Sequence, residues 1–305
     1  MAPEIDFWAV AGLVTKLFWY LGVLAAVGGT FSVWILSDAS RKGLRWSLIY
    51  SLAGALLGFH AVIGYFLVQV GAANDSGLAG MLDWPLIRFY LGLDVGEASL
   101  FRMAIFLVLA ALQAATLAYL WRRSSPPESG QFRLFYRLNG AALLFLLLSF
   151  QSTGHIAPLA FPVRTSLVLH VIAAFLWLGS LLPLARAVWM FDSVQLQSVM
   201  RLFSRRASVL VAVLLGTALI MLFQVLESPA AMTTSVYGLS LLLKMSLVAA
   251  LLSLAALNRW LLVPNLEQPG GRTHLRRSIT LEMVFGLLVL ATTVFLSTVI
   301  GPETH

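Results

Sequence analysis

Imidazole is the commonest metal ligand among side chains, and it is costly to hold inside a bilayer. Three of the five histidines in this chain, His60, His155 and His170, map to the same end of a series of long apolar segments. His60 sits in "ALLGFHAVIGYF", slightly past the middle of its segment, with Gly54, Gly58 and Gly64 beside it to permit close helix packing. His170 sits in "RTSLVLHVIAAFLWLG", roughly 9 Å inside the outer end of its segment at the helical rise. Trp177 follows seven residues later on the same helix face. The matched depth predicts that His60 and His170 share one site. His155 lies in "SFQSTGHIAPLAFP", a turn bounded by glycine and proline, and is placed above the pair as a mouth ligand. The competing reading is plain: each buried histidine bonds a neighbouring helix and binds nothing, and His155 is a solvated loop residue. His274, among arginines, and His305, at the end of the chain, read as surface.

There are no cysteines, so disulfides, thiolate metal sites and iron–sulfur ligation from within the chain are excluded. A metal site must use His, Met, carboxylate or backbone oxygen. Met103, Met221, Met232 and Met245 fall in the outer half but form no dense motif, and core filling is the better reading of them. A b-type haem held by His60 and His170 is the alternative, with Gly54, Gly58, Gly64, Ala173 and Ala174 leaving room for a flat ring. There is no Walker motif, dinucleotide fingerprint or HExxH.

The elements that must position these residues are helices in a membrane. The chain has 305 residues, is 60% hydrophobic and only 11% charged. Soluble domains carry about 25% charged residues. Eight segments reach the roughly 20 apolar residues a span needs: 8–36, 45–70, 98–121, 134–151, 164–189, 206–226, 236–262 and 276–300. The predicted fold is an all-α, polytopic bundle of two four-helix halves, residues 1–151 and 152–305. The first six residues lack a basic region and a cleavage site, so no removable leader is expected.

Charge alternates between connectors. Arg41, Lys42 and Arg45 occupy the first; Arg122, Arg123, Arg133 and Arg137 the third; Arg186, Arg201, Arg205 and Arg206 the fifth; Arg259, Arg272, Arg276 and Arg277 the seventh. Fifteen of the twenty Lys and Arg residues thus lie on one side, and acids dominate the other: Asp75, Asp83, Asp94, Glu97 and Glu227. The positive-inside rule makes the basic side cytoplasmic, with both termini and the long 71–97 loop outside. In that loop Trp84, Pro85, Phe89 and Tyr90 predict a piece lying at the interface. The +7 net charge lies in membrane loops and not in one patch, so it does not suggest nucleic acid.

Residues 95–112 and 236–253 look alike, aligning Gly96 with Gly238, Arg102 with Lys244 and Met103 with Met245. Four spans per half preserve orientation, so these residues predict a parallel repeat. The histidines do not repeat. Lys16, Arg102 and Lys244 are buried cations that either snorkel outward or pair with Asp94, Glu97 or Glu227. Glu282 is buried near the basic end, with Arg259 as its expected partner.

The C-terminal half carries a specific order of motifs: Gly154–His155; His170, Trp177 and Gly179 spaced H-x6-W-x-G; Phe203–Ser204; Tyr237, Gly238 and Lys244; Asn258–Arg259; and Glu282. Over about 150 residues this resembles the copper-resistance D (CopD) family of bacterial inner-membrane proteins, and the first half resembles the family's more variable spans. The resemblance implies copper uptake or tolerance in the inner membrane and a separate periplasmic copper carrier of the CopC type. A membrane scaffold for such carriers is a further alternative.

Overall fold

A computed structural model describes residues 6–36, 41–74, 76–122, 129–151, 161–225 and 231–300. Eight helices in it are long and apolar enough to cross a membrane, and each overlaps one of the eight segments read from the sequence; most ends shift by a few residues, but the sixth begins at Ser193 and not at 206, so Arg201, Arg205 and Arg206, read as a connector, lie within the helix. Among the described residues there is no strand. The chain is an all-α, multi-pass membrane protein.

The helices are α1 (Phe7–Leu36), α2 (Arg41–Ala73), α3 (Trp84–Leu91), α4 (Asp94–Arg122), α5 (Ser129–Leu148), α6 (Phe161–Gly179), α7 (Leu181–Met190), α8 (Ser193–Val225), the single turn α9 (Ala231–Thr234), α10 (Val236–Leu257) and α11 (Gly271–Phe295). Apolar runs of this length stay helical because every backbone polar group must find its partner within the segment when water is absent. The fifth span is two helices, α6 and α7, meeting at Gly179 and Ser180. The short α3 in the 71–97 loop begins at Asp83, whose carboxylate accepts the Leu86 N–H at 3.1 Å, with Pro85 in the first turn. That capping is why the aromatic piece becomes a helix of its own.

Helix α1 is the hub: it packs along α2 most extensively and also meets α5, α6, α7, α8 and α11. Its glycines make this possible. A Cβ at Gly22 would strike the backbone of Gly58, and one at Gly28 would strike the backbone of Gly179. Backbones this close leave no room for any side chain, so small residues at these positions set both crossings. The cores divide accordingly. Trp19, Val23, Phe106 and Phe175 centre one cluster, and Trp177, Leu184, Leu196 and Leu275 centre another.

At the basic end three guanidiniums lie over indole faces: Arg186 over Trp46 at 5.4 Å, Arg206 over Trp34 at 3.1 Å and Arg276 over Trp189 at 4.7 Å. Tryptophan there is at home on the membrane–water boundary. Arg41 and Arg45 also donate to the Leu120 carbonyl near the C-terminal end of α4, where an unpaired carbonyl and the helix dipole both favour a cation.

Candidate functional site

His170 lies nine residues into α6, about 14 Å along its axis. Its Nδ1 is 3.1 Å from Thr217 Oγ1 on α8. The Thr217 hydroxyl has a single proton, which is directed to the Val213 carbonyl at 2.7 Å, with the Leu214 carbonyl at 3.1 Å. Oγ1 is therefore the acceptor and His170 Nδ1–H the donor. In the neutral ring this leaves Nε2 carrying the lone pair, which is the form a metal ligand requires. Thr217 escaped the sequence reading; its only signal was a hydroxyl in the apolar run "VLLGTALIM".

Lys244, eight residues into α10, completes the surroundings: it is half-buried and close enough to act electrostatically on His170. A metal cation at His170 would meet repulsion from this ammonium, which a low-dielectric setting strengthens. The three helices α6, α8 and α10 thus bring together one oriented imidazole and one cation. Among the described residues no group of three or more His, Asp or Glu stands where a metal ion could be held. His155 lies outside the described residues, as does His305.

The structure does not bring His60 to His170. His60 is exposed on α2, with Nδ1 2.8 Å from the Leu56 carbonyl of its own helix and its ring edge-on to Phe59. The reason is readable in α2. Gly54 and Gly58 are one turn apart and are closed in by Ala25 and Ala26 of α1 and by Phe106 of α4, and His60, two residues beyond Gly58, points about 200° away from it. Helix α1 packs against both α2 and α6 and lies between the two histidines. The same packing disposes of the haem pocket. The space at Gly54 is filled by Ala25 and Ala26, and that at Gly58 by the Phe106 ring. Ala173 is buried as well. A flat macrocycle does not fit between His60 and His170.

Lys16 and Arg102 are buried and bond to groups other than carboxylates. Lys16, 8% exposed, donates to the Ser297 carbonyl at 3.0 Å. Arg102, 3% exposed, donates from Nε to Ser149 Oγ at 3.0 Å and from Nη2 to the Ser149 carbonyl at 2.7 Å, and its Cζ lies 4.5 Å from the Trp19 ring centre. Below them runs a second polar cluster that the sequence did not announce. Gln113 Nε2 donates to Asn139 Oδ1 at 2.8 Å and to Thr30 Oγ1 at 3.2 Å, joining α1, α4 and α5.

Glu282 is buried, as read from the sequence, but its partner is Asn258, whose Nδ2 donates to Oε1 at 2.8 Å. Arg259 turns instead to α8, donating to the Ser204 carbonyl at 3.2 Å and to Ser208 Oγ. Adjacent residues on a helical turn point in different directions, so one of the Asn258–Arg259 pair faces α11 and the other α8. Trp177 is buried in the core beside Leu181 and contributes packing. Of the methionines, Met103 packs against the core, but Met245 is 46% exposed and fills none.

No curated protein and no solved structure matched the chain. One family did: its model, described as Copper resistance protein D, matches residues 197–296. That stretch holds most of α8 together with α10 and α11, and with them Thr217, Lys244, Asn258 and Glu282; His170 and Trp177 precede it. The resemblance to the copper resistance D family, a family of membrane proteins, is thus carried in this chain by residues 197–296.

Proposed function

We propose that the chain handles copper in a bacterial inner membrane, accepting the ion on the acidic, periplasmic side and moving it toward the cytoplasm. The observation that carries this reading is His170, whose Nδ1 lies 3.1 Å from Oγ1 of Thr217, a residue of the matched copper-resistance stretch. His155, fifteen residues earlier in sequence, receives the ion and hands it to His170 Nε2. A separate periplasmic copper carrier of the CopC type delivers it. His60 enters as a second, separate histidine on the outer surface of α2. The positive-inside distribution of Lys and Arg supports periplasmic termini. Lys244 repels a bound cation, so residence at His170 is brief, which suits passage better than storage.

The test is copper binding and uptake by the full chain in vesicles. His170→Ala should lower uptake by at least tenfold while leaving the folded protein intact. His60→Ala should change it less than twofold. Uptake should also fall in acid, because only neutral imidazole ligates. Equal losses from the two variants would overturn the separation of the sites, and no loss from His170→Ala would overturn the reading itself.

A further inference from the structure

Glu282 sits on α11 six residues past Arg276, roughly 9 Å deeper into the bundle than the Arg276–Trp189 contact at the basic end. It is 3% exposed. An ionisable group inside a span is costly, so its partners disclose its use. Among the described residues Glu282 has one hydrogen-bond partner, Asn258, whose Nδ2 donates to Oε1. Two polar atoms beside this pair have none. Asn258 Oδ1 is buried and accepts nothing, and Ser278 Oγ, one turn before Glu282 on α11, is buried without a partner. Asn258 also opens a π turn, Asn258–Leu262, a distortion found most often where a helix serves a functional site.

The charges on the elements packed against α11 are turned elsewhere. Arg259, on the π turn, is bonded to Ser204 and Ser208 of α8. Arg186 on α7 lies over Trp46. Lys244 on α10 is fourteen residues from Asn258, about 21 Å along the helix. Lys16 on α1 is held at the opposite end by the Ser297 carbonyl. On α11 itself Arg272 donates to the Phe191 carbonyl, Arg276 lies over Trp189, and His274 and Arg277 are exposed, as is Glu267 in the preceding connector.

A buried carboxylate without a cation is heavily penalised, and the neutral acid escapes that penalty. The neutral acid also brings what the site lacks. Asn258 Oδ1 needs a donor, and a carboxyl proton on the second oxygen of Glu282 is one. Acid and amide then satisfy each other twice, N–H to Oε1 and O–H to Oδ1. Turning the amide over does not remove the need: Oδ1 would face Oε1, and only a carboxyl proton joins two acceptors. We propose that Glu282 and Asn258 form a proton-binding site, in which the Glu282 carboxylate takes up one proton from the basic end of the bundle and the resulting O–H donates to Asn258 Oδ1. The site stands whether or not copper is the cargo.

Infrared spectroscopy of the full chain in detergent tests this. At neutral pH the wild-type protein should show the C=O stretch of a protonated carboxyl, moved to lower frequency in deuterium oxide and lost in Glu282→Gln. That variant should stay folded, because its amide can make both bonds to Asn258 that the acid makes. Asn258→Leu should raise the frequency of the band toward that of a carboxyl without hydrogen bonds, a shift that a merely structural asparagine would not produce. Glu267→Gln, exposed in the connector, should leave the band unchanged. Absence of the band from the wild-type protein at neutral pH, or its survival in Glu282→Gln, would overturn the proposal. An unchanged frequency in Asn258→Leu would overturn the pairing. Loss of the band on adding sodium chloride but not choline chloride would overturn the proton assignment and give the same oxygens to a sodium ion. The band and its response to sodium are read on the unaltered protein, so they decide the matter even where a variant fails to fold.

Discussion

Arg102 on α4 and Lys244 on α10 hold the same place in two similar stretches of sequence, yet they reach different surroundings. Helix α4 is enclosed by α2 and α5, and Arg102 is sealed against Ser149 and Trp19. Helix α10 packs chiefly on α11, and Lys244 stays half-buried, within electrostatic range of His170. The contrast extends to whole spans. In the apolar window of Phe161–Met190, 50% of residues are buried within the chain, against 6% in each of Ser193–Gln224 and Val236–Leu262. The region matching the copper-resistance family therefore includes the two least enclosed spans. In the N-terminal half Arg102 finds its partners inside the bundle; the C-terminal half leaves an oriented histidine and a half-buried cation.

That comparison can be broken at several points. The largest effect belongs to the seam between the halves. Gly179→Leu would drive a side chain into the Gly28 and Leu24 backbone of α1, and it should cost more than about 3 kcal/mol, read as loss of monodisperse protein in detergent. A variant that remains folded with an unchanged melting temperature would show that α1 and α6 can separate.

Next is Arg102→Met, which removes charged hydrogen bonds from a buried Ser149 and should cost about 2–3 kcal/mol in thermal or denaturant unfolding. Glu282→Ala strips Asn258 Nδ2 of its acceptor and should cost about 1–2 kcal/mol. Arg259→Ala should leave the Glu282 environment untouched, and non-additivity in the Arg259/Glu282 double variant would restore the ion pair that the sequence suggested. The smallest effect is Lys244→Met, expected below about 1 kcal/mol because the side chain is only half-buried. A loss as large as that of Arg102→Met would mean that the two halves are equivalent after all.

Much of this was open to a reading of sequence. Length and hydropathy of single segments decide whether a helix spans a bilayer, and these are local properties; the eight spans needed no knowledge of neighbours. Trp84, Pro85, Phe89 and Tyr90 marked an interfacial piece in the same local way, though not that Asp83 would cap it as a helix. The candidate site was less legible. His60 and His170 looked equivalent because depth along a helix is a one-dimensional quantity. Which way a side chain faces depends on what packs against the helix, and there the glycines of α2, packed on α1 and α4, decided that His60 points outward.

By itself, then, the sequence determined composition, span number, charge asymmetry and the motif order that points to copper resistance, because each is a property of residues in a row. Tertiary structure decided partners. It assigned Thr217 to His170, Asn258 and not Arg259 to Glu282, and Ser149 to Arg102. It also closed the space a haem would need. These contacts join residues that are distant in the chain, or choose between neighbours a third of a turn apart, and only the packing of helix against helix selects among them.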